Sequence, residues 1–137
     1  MHYYFAYGAN TNIANMALRC PDAHRVGRAW IDGYAFRWRG VADIEISSDE
    51  YVVGVLWQIH DGDLAALDEF EGYPHVYFRQ RVIINHGDAQ HVGWAYMMVK
   101  QDTESSPGDA YRDMVYEGYA QNDLADGQLT QALERFN

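Results

Sequence analysis

Glu71 is the side chain best placed to do chemistry. It ends the segment Asp61-Gly-Asp-Leu-Ala-Ala-Leu-Asp-Glu-Phe-Glu-Gly-Tyr-Pro74, whose local signals predict a short helix. Asp61 is read as the cap of the first turn, with Asp63 in that turn's positive field. Leu64, Leu67 and Phe70 recur at helical spacing. Gly72 supplies a left-handed stop and Pro74 forbids continuation. A carboxylate at the C-terminal end of a helix meets the partial negative charge of the last carbonyls. Asp68, three residues earlier on the same side, adds like-charge repulsion, and Phe70, Tyr73 and Tyr77 can desolvate the group. All three effects raise the pKa of Glu71, so the spacing predicts a proton shuttle near neutral pH. A solvated acid at a frayed helix end is the competing reading.

The second feature is Gly8-Ala-Asn10, with Thr11-Asn12 beyond. Gly8 and Asn10 are residue types that tolerate positive φ. Asn10, Thr11 or Asn12 can cap a short helix running to about Leu18. The preceding Tyr3-Tyr-Phe-Ala-Tyr7 is apolar on both alternating faces and reads as a buried strand. A strand, a tight turn and a helix start make a concave row of backbone N–H groups able to hold a carboxylate or phosphate. A plain strand-to-helix turn competes with that reading.

The remaining elements must position these two features. His24 to Gly40 reads as strands broken at Gly33, and Ala42 to Ser47 as a half-exposed strand followed by a turn at Ser48-Asp-Glu50. Tyr51 to Ile59 is the strongest strand signal, and Gly54 within it lets another group approach closely. Tyr77 to Asn85 and His91 to Val99 read as an antiparallel pair. In the second, Trp94, Tyr96 and Met98 alternate with Gly93, Ala95 and Met97, a large–small pattern suited to a small barrel. Lys100 to Gly108 reads as a mobile loop. Asp109 caps a helix carrying Tyr111, Met114, Val115 and Tyr119, and a last helix follows Gly127. The expected fold is α+β: a small mixed β-barrel of five to six strands with helices packed against it, the Asp61 to Glu71 helix covering one opening.

Composition narrows the function. The 137 residues fit one domain, residues 1–137, large enough to fold without staples. A formal charge of −10 argues against nucleic acid and anionic membranes as partners. No apolar run approaches the ~20 residues of a membrane span. Met1-His-Tyr-Tyr-Phe lacks a basic leader, and one cysteine, Cys20, rules out an internal disulfide framework, so a cytoplasmic location is expected. The six histidines have no zinc-motif spacing, so no metal site is expected. Ser47 and Ser48 lack a nucleophile elbow, and no Gly-x-Gly-x-x-Gly or P-loop occurs. Asp68 and Glu71, three apart on one helix, lie on one side of any substrate and make a poor glycosidase pair.

Three segments together resemble the gamma-glutamylcyclotransferase-like (AIG2-like) family. Tyr4-Phe-Ala-Tyr-Gly-Ala-Asn10 is similar to that family's loop after its first strand. Gly54-Val-Leu-Trp57 leading into Leu67-Asp-Glu-Phe-Glu-Gly-Tyr-Pro74 is the more specific match. Pro107, Tyr111 and the closing helical segment complete it. The resemblance implies a barrel needing no cofactor, with Glu71 as the catalytic carboxylate. It implies Tyr7, Gly8, Ala9 and Asn10 as the substrate-binding loop, with Tyr77 and Tyr111 as further binding residues. Ala9 stands where the family usually has serine, which a backbone N–H contact survives and a hydroxyl contact does not.

The implied reaction is closure of a gamma-glutamyl amide to 5-oxoproline with expulsion of an amine. The substrate's α-amine attacks its own γ-carbonyl, so orientation supplies much of the rate. One carboxylate of raised pKa can take the proton from the α-ammonium and return it to the departing amine. A small-molecule gamma-glutamyl compound is thus the expected partner. A non-catalytic binding module of the same fold, and an interaction protein using its acidic surface, stay open. So does the amine released: a free amino acid, an isopeptide lysine, a polyamine or a biosynthetic protecting group. Oligomeric state is not legible.

Overall fold

In a computed structural model, which describes residues 1–136, five strands close into a barrel in the order β1-β3-β2-β4-β5. The strands are β1 His2–Ala6, β2 His24–Trp38, β3 Ala42–Ile59, β4 Tyr77–His86 and β5 Ala89–Met98. Every neighbouring pair is antiparallel except β1 and β5, which are parallel and seal the barrel at Tyr4 and Trp94. Four helices lie around it among the described residues: α1 Ile13–Arg19, α2 Asp61–Glu71, α3 Asp109–Gln121 and α4 Gly127–Glu134.

Strand alternation divides the core in two. Phe5, Ile31, Leu56, Ile84 and Ala95, drawn from all five strands, pack inside the barrel with Val115, Tyr119, Leu129 and Ala132 of α3 and α4. The opposite faces of β1, β3 and β5 (Tyr4, Ala6, Val55, Trp57, Tyr96) pack outside, against Met16 of α1 and Leu64 and Leu67 of α2. The expected cover over the barrel interior therefore comes from α3 and α4, and α2 lies on the outer face. Within the inner core Trp38 of β2 is tied to α4, its Nε1 donating to Leu129 O at 3.0 Å.

Several local expectations give way to tertiary structure. β2 runs unbroken through Gly33, whose φ of 86° sits in a register shift between Asp32 and Tyr34. The anticipated turn at Ser48–Glu50 is extended backbone within β3: Asp32 opposes Tyr51 and Tyr34 opposes Ile46, so residues 47–50 bulge opposite Gly33. The chain instead reverses at Arg39–Val41, where Gly40 has φ 76°. The 100–108 loop is pinned rather than mobile. Gly40 N and Ser105 N bond to Ser105 O and Trp38 O, and the Gln101 side chain donates to Ile44 O at 2.7 Å. Beneath it the buried Arg39 guanidinium pairs with Asp43 (2.8 Å) and Glu45. Gly54 behaves as expected, since a Cβ there would overlap the Ala6 carbonyl and the Phe5 ring.

Candidate active site

α2 ends where the sequence signals place its end. Gly72 adopts φ 66° and ψ 37°, and the chain then passes through a cis Tyr73–Pro74 bond into β4. The start differs by one residue: His60 is the N-cap, and Asp63 Oδ2 accepts from His60 N–H at 2.9 Å. Asp61, free of that duty, pairs with His2 at 2.6 Å.

The Gly8–Asn10 turn is a short 3-10 element, Ala9–Thr11, followed by α1 with Asn12 as its cap, whose Oδ1 accepts from Asn15 N–H at 3.2 Å. The turn closes through Thr11 N–H to Gly8 O and Asn12 N–H to Ala9 O. Those bonds leave the N–H groups of Gly8, Ala9 and Asn10 outside the turn's own pairing. Neither Gly8 nor Asn10 takes positive φ, contrary to expectation. Glycine is needed at position 8 for space instead: a Cβ there would lie 2.7 Å from Ala42 Cβ. Asn10 is 3% exposed, with its side chain and its carbonyl engaged. Its Nδ2 donates to Tyr4 Oη, its Oδ1 accepts from Asn15, and its carbonyl accepts from Trp57 Nε1.

These parts meet at one cavity of about 180 Å³. Glu71, Tyr7, Gly8, Ala9, Asn10, Tyr77 and Tyr111 all line it, together with Tyr4, Val41, Ala42, Phe70 and Tyr96. Burial pushes the Glu71 carboxyl up to about 7, opposed by the positive charge of Arg19. Asp68 plays no part in that shift, contrary to expectation, because its charge is spent elsewhere. Both its oxygens accept from Arg79, at 2.7 and 2.9 Å, and Oδ1 also accepts from Tyr96 Oη at 2.6 Å. Tyr73, expected among the desolvating rings, is 40% exposed and does not line the cavity.

The five tyrosine hydroxyls divide by what they do with their protons. Tyr7 donates to Tyr96 O, Tyr77 to Ala42 O and Tyr96 to Asp68. Tyr4 and Tyr111 instead accept, from Asn10 Nδ2 at 3.1 Å and Ala42 N–H at 3.2 Å. An accepting hydroxyl keeps its own proton to give, so Tyr4 and Tyr111 are the donors available to a bound group. Burial pushes the Tyr111 phenol up to about 12, and backbone N–H groups of Ala42 and Ala9 pull against it.

The family model for "Gamma-glutamyl cyclotransferase, AIG2-like" matches residues 4–117, and so takes in the turn, Glu71 and Tyr111. The chain belongs to that family. No curated protein sequence matches this gamma-glutamyl cyclotransferase-like chain. Among solved structures it is similar to one named gamma-glutamyl cyclotransferase, at 23% identity and TM-score 0.85 over 94% of this chain and 85% of that one. It is also similar to the uncharacterized protein loc79017 from Homo sapiens, at 24% identity and TM-score 0.84 over 94% and 85%. YkqA from Bacillus subtilis matches at 25% identity and TM-score 0.80, over 98% of this chain and 53% of that one.

Residue spacing did not single out four lining residues of this cyclotransferase-like cavity: Tyr4, Tyr96, Val41 and Ala42. Alternation placed Tyr96 on one face of its strand with Trp94 and Met98, but β1 is apolar on both faces and gave Tyr4 no side, and neither pattern pointed to a cavity. Val41 and Ala42 carry no sequence signal. The Cys20 thiol is 2% exposed and pushed up to about 12 by burial, with Asp63 adding to this and Arg19 opposing, which suits a structural thiol. No group of three metal-ligating side chains occurs among the described residues, and no helix there is long and apolar enough to cross a membrane.

Proposed function

We propose that the protein is a cyclotransferase that converts a gamma-glutamyl amide to 5-oxoproline and releases the amine, with Glu71 as general base and then general acid. The observation that carries this is a carboxyl raised to about 7 inside the cavity walled by the Gly8–Asn10 turn. A group poised near neutral pH can both accept and return a proton. The Gly8–Asn10 turn binds the substrate α-carboxylate through the amides of Gly8 and Asn10, with Ala9 N–H turned to the Tyr111 hydroxyl oxygen. Glu71 takes a proton from the α-ammonium, and the freed amine attacks the γ-carbonyl carbon. The carbonyl oxygen becomes an oxyanion, for which the Tyr111 hydroxyl, and Tyr4 beside it, are the free donors. Collapse breaks the C–N bond as Glu71 gives its proton to the departing nitrogen, and the carboxylate so regenerated takes the second proton from the ring nitrogen and passes it to the released amine, leaving neutral 5-oxoproline and an ammonium.

Glu71 at the end of α2 and the Gly8–Asn10 turn after β1 come from separate segments and line the same cavity, which supports this reading. The test is a screen of gamma-glutamyl amides for release of 5-oxoproline with an equal amount of free amine. Tight binding of such amides with no release would replace the cyclotransferase reading by a binding module. No binding and no release would remove the gamma-glutamyl assignment.

A further inference from the structure

β1 and β3 pair from His2 with Ile59 to Ala6 with Val55, one residue up for each residue down. Two more steps in that register would set Gly8 against Val53, but the pairing stops first. Asn85 Nδ2 donates to Trp30 O from β4, so Trp30 turns its backbone groups away from β3. Val53, its partner in β3, therefore turns its own N–H and O toward the place that Gly8 would take. The side chain of Gln128, at the start of α4, fills that place. Its Oε1 accepts from Val53 N–H and its Nε2 donates to Val53 O, both at 2.9 Å. A carboxamide offers a donor and an acceptor as a peptide group does, so Gln128 stands in for a strand residue. The same Nε2 donates to Tyr119 Oη at 2.7 Å, and that buried hydroxyl donates to Tyr7 O at 2.6 Å. Tyr119 and Gln128 both lie beyond residue 117, where the match to the family model ends.

We infer that Gln128, with Tyr119, is a positioning residue that holds the Gly8–Asn10 turn off the sheet. Open N–H and C=O groups at a strand edge invite another strand. With Val53 unpaired, β1 would zip on by two residues. Gly8 would then give its N–H to the ladder and not to a substrate carboxylate. Its carbonyl would lose the bonds it accepts from Thr11 N–H and Thr11 Oγ1, which close the turn. Gln128 removes that alternative by pairing Val53 itself, and Tyr119 takes the Tyr7 carbonyl where the chain departs. This rests on the cyclotransferase reading, in which the turn binds the substrate α-carboxylate, and adds to it what keeps the turn in shape.

The experiment measures binding without turnover, in proteins that all carry Glu71→Gln. Titration calorimetry compares gamma-glutamyl-alanine with the same compound bearing a primary amide in place of the glutamyl α-carboxylate. With Gln128 intact the acid is expected to bind tighter by about ten- to a hundred-fold, the worth of charge-assisted hydrogen bonds. Gln128→Met keeps the length of the side chain without its hydrogen bonds, and is expected to erase most of that preference. Gln128→Glu keeps an acceptor for Val53 N–H, loses both donations, and is expected to do the same. Asn85→Ala is the control, since Asn85 makes a like bond to Trp30 O on the β2–β4 seam and does not line the cavity. It is expected to lower stability and leave the preference intact. A preference that survives both Gln128 variants, or that Asn85→Ala erases equally, overturns the role of Gln128 alone. No preference, or no binding, with Gln128 intact overturns the α-carboxylate reading and this one with it.

Discussion

The Tyr96 hydroxyl donates to Asp68 Oδ1 at 2.6 Å, so the acid one helical turn before Glu71 on α2 is turned to the barrel wall and not to its neighbour. Arg79 completes the arrangement by gripping both Asp68 oxygens while its guanidinium stacks against Tyr73 and Trp94. Asp68 is thus a clamp between α2, β4 and β5. Asp68→Asn is expected to lower stability by about 1–3 kcal/mol in denaturant titration, because it weakens charge-assisted bonds at a partly buried site. The acidic limb of the pH–rate profile is expected to stay in place. A downward shift of that limb would show Asp68 charge acting on Glu71 after all.

Glu71→Gln is expected to fold and to retain affinity for a gamma-glutamyl ligand. Its 5-oxoproline release is expected to fall by about 10²–10⁴, the usual worth of general acid–base catalysis. A folded Glu71→Gln protein with undiminished release would sink the proton-shuttle mechanism.

The same carboxyl makes stability depend on pH. Its folded pKa of about 7 lies above the ordinary 4.5, so between those values the folded state binds more protons than the unfolded state. Its contribution to stability is full below pH 4.5 and is lost as pH rises through about 7. The loss is on the order of 3 kcal/mol, at 1.36 kcal/mol per pKa unit. Glu71→Gln has no such titration, so the variant is expected to gain stability relative to wild type between pH 4.5 and 8. Parallel chemical denaturation of the two proteins across that range reads the difference.

Tyr111 and Tyr77 line the same cavity but use their hydroxyls in opposite senses around Ala42, one accepting from its N–H and the other donating to its O. Tyr111→Phe is expected to lower kcat by about 10²–10³, as loss of an oxyanion donor does, with little change in ligand affinity. Tyr77→Phe is expected to act on stability by about 1 kcal/mol and much less on kcat. Equal kcat losses in the two variants would remove the oxyanion role from Tyr111.

Gly8→Ala is expected to destabilise the protein and depress turnover, since the new methyl meets Ala42 Cβ at 2.7 Å. Ala42→Gly in the same chain is expected to restore much of both. Rescue of stability without rescue of turnover would show that the turn, and not packing, sets the rate.

What the sequence made legible here was what neighbours along the chain decide. α2 begins and ends within a residue of its local signals because Asp63, Gly72 and Pro74 act inside one or two turns. The strand–turn–helix at Gly8 was legible for the same reason. Its physical basis was not, because Ala42 reaches Gly8 only across the folded barrel. Arg79, on another element from Asp68, silences the repulsion that spacing on α2 predicts. A polar stretch such as Lys100–Gly108 looks mobile until Arg39, Asp43 and Gln101 fasten it.

The parallel seam between β1 and β5 has a consequence for the order of assembly. β1 is made first, yet its partners Trp57 and Trp94 come far later in the chain, and the cavity wall carried by Tyr4 and Tyr7 stays unfinished until β5 is in place. Contacts so distant in sequence form slowly, after their loop-closure entropy is met. During synthesis β1 can pair with β3 once Trp57 is made, but its other edge stays open until β5 follows. The cavity is complete only once Tyr96 of β5 and Tyr111 of α3 have joined its wall, so binding of a small molecule there would report the late stages of folding.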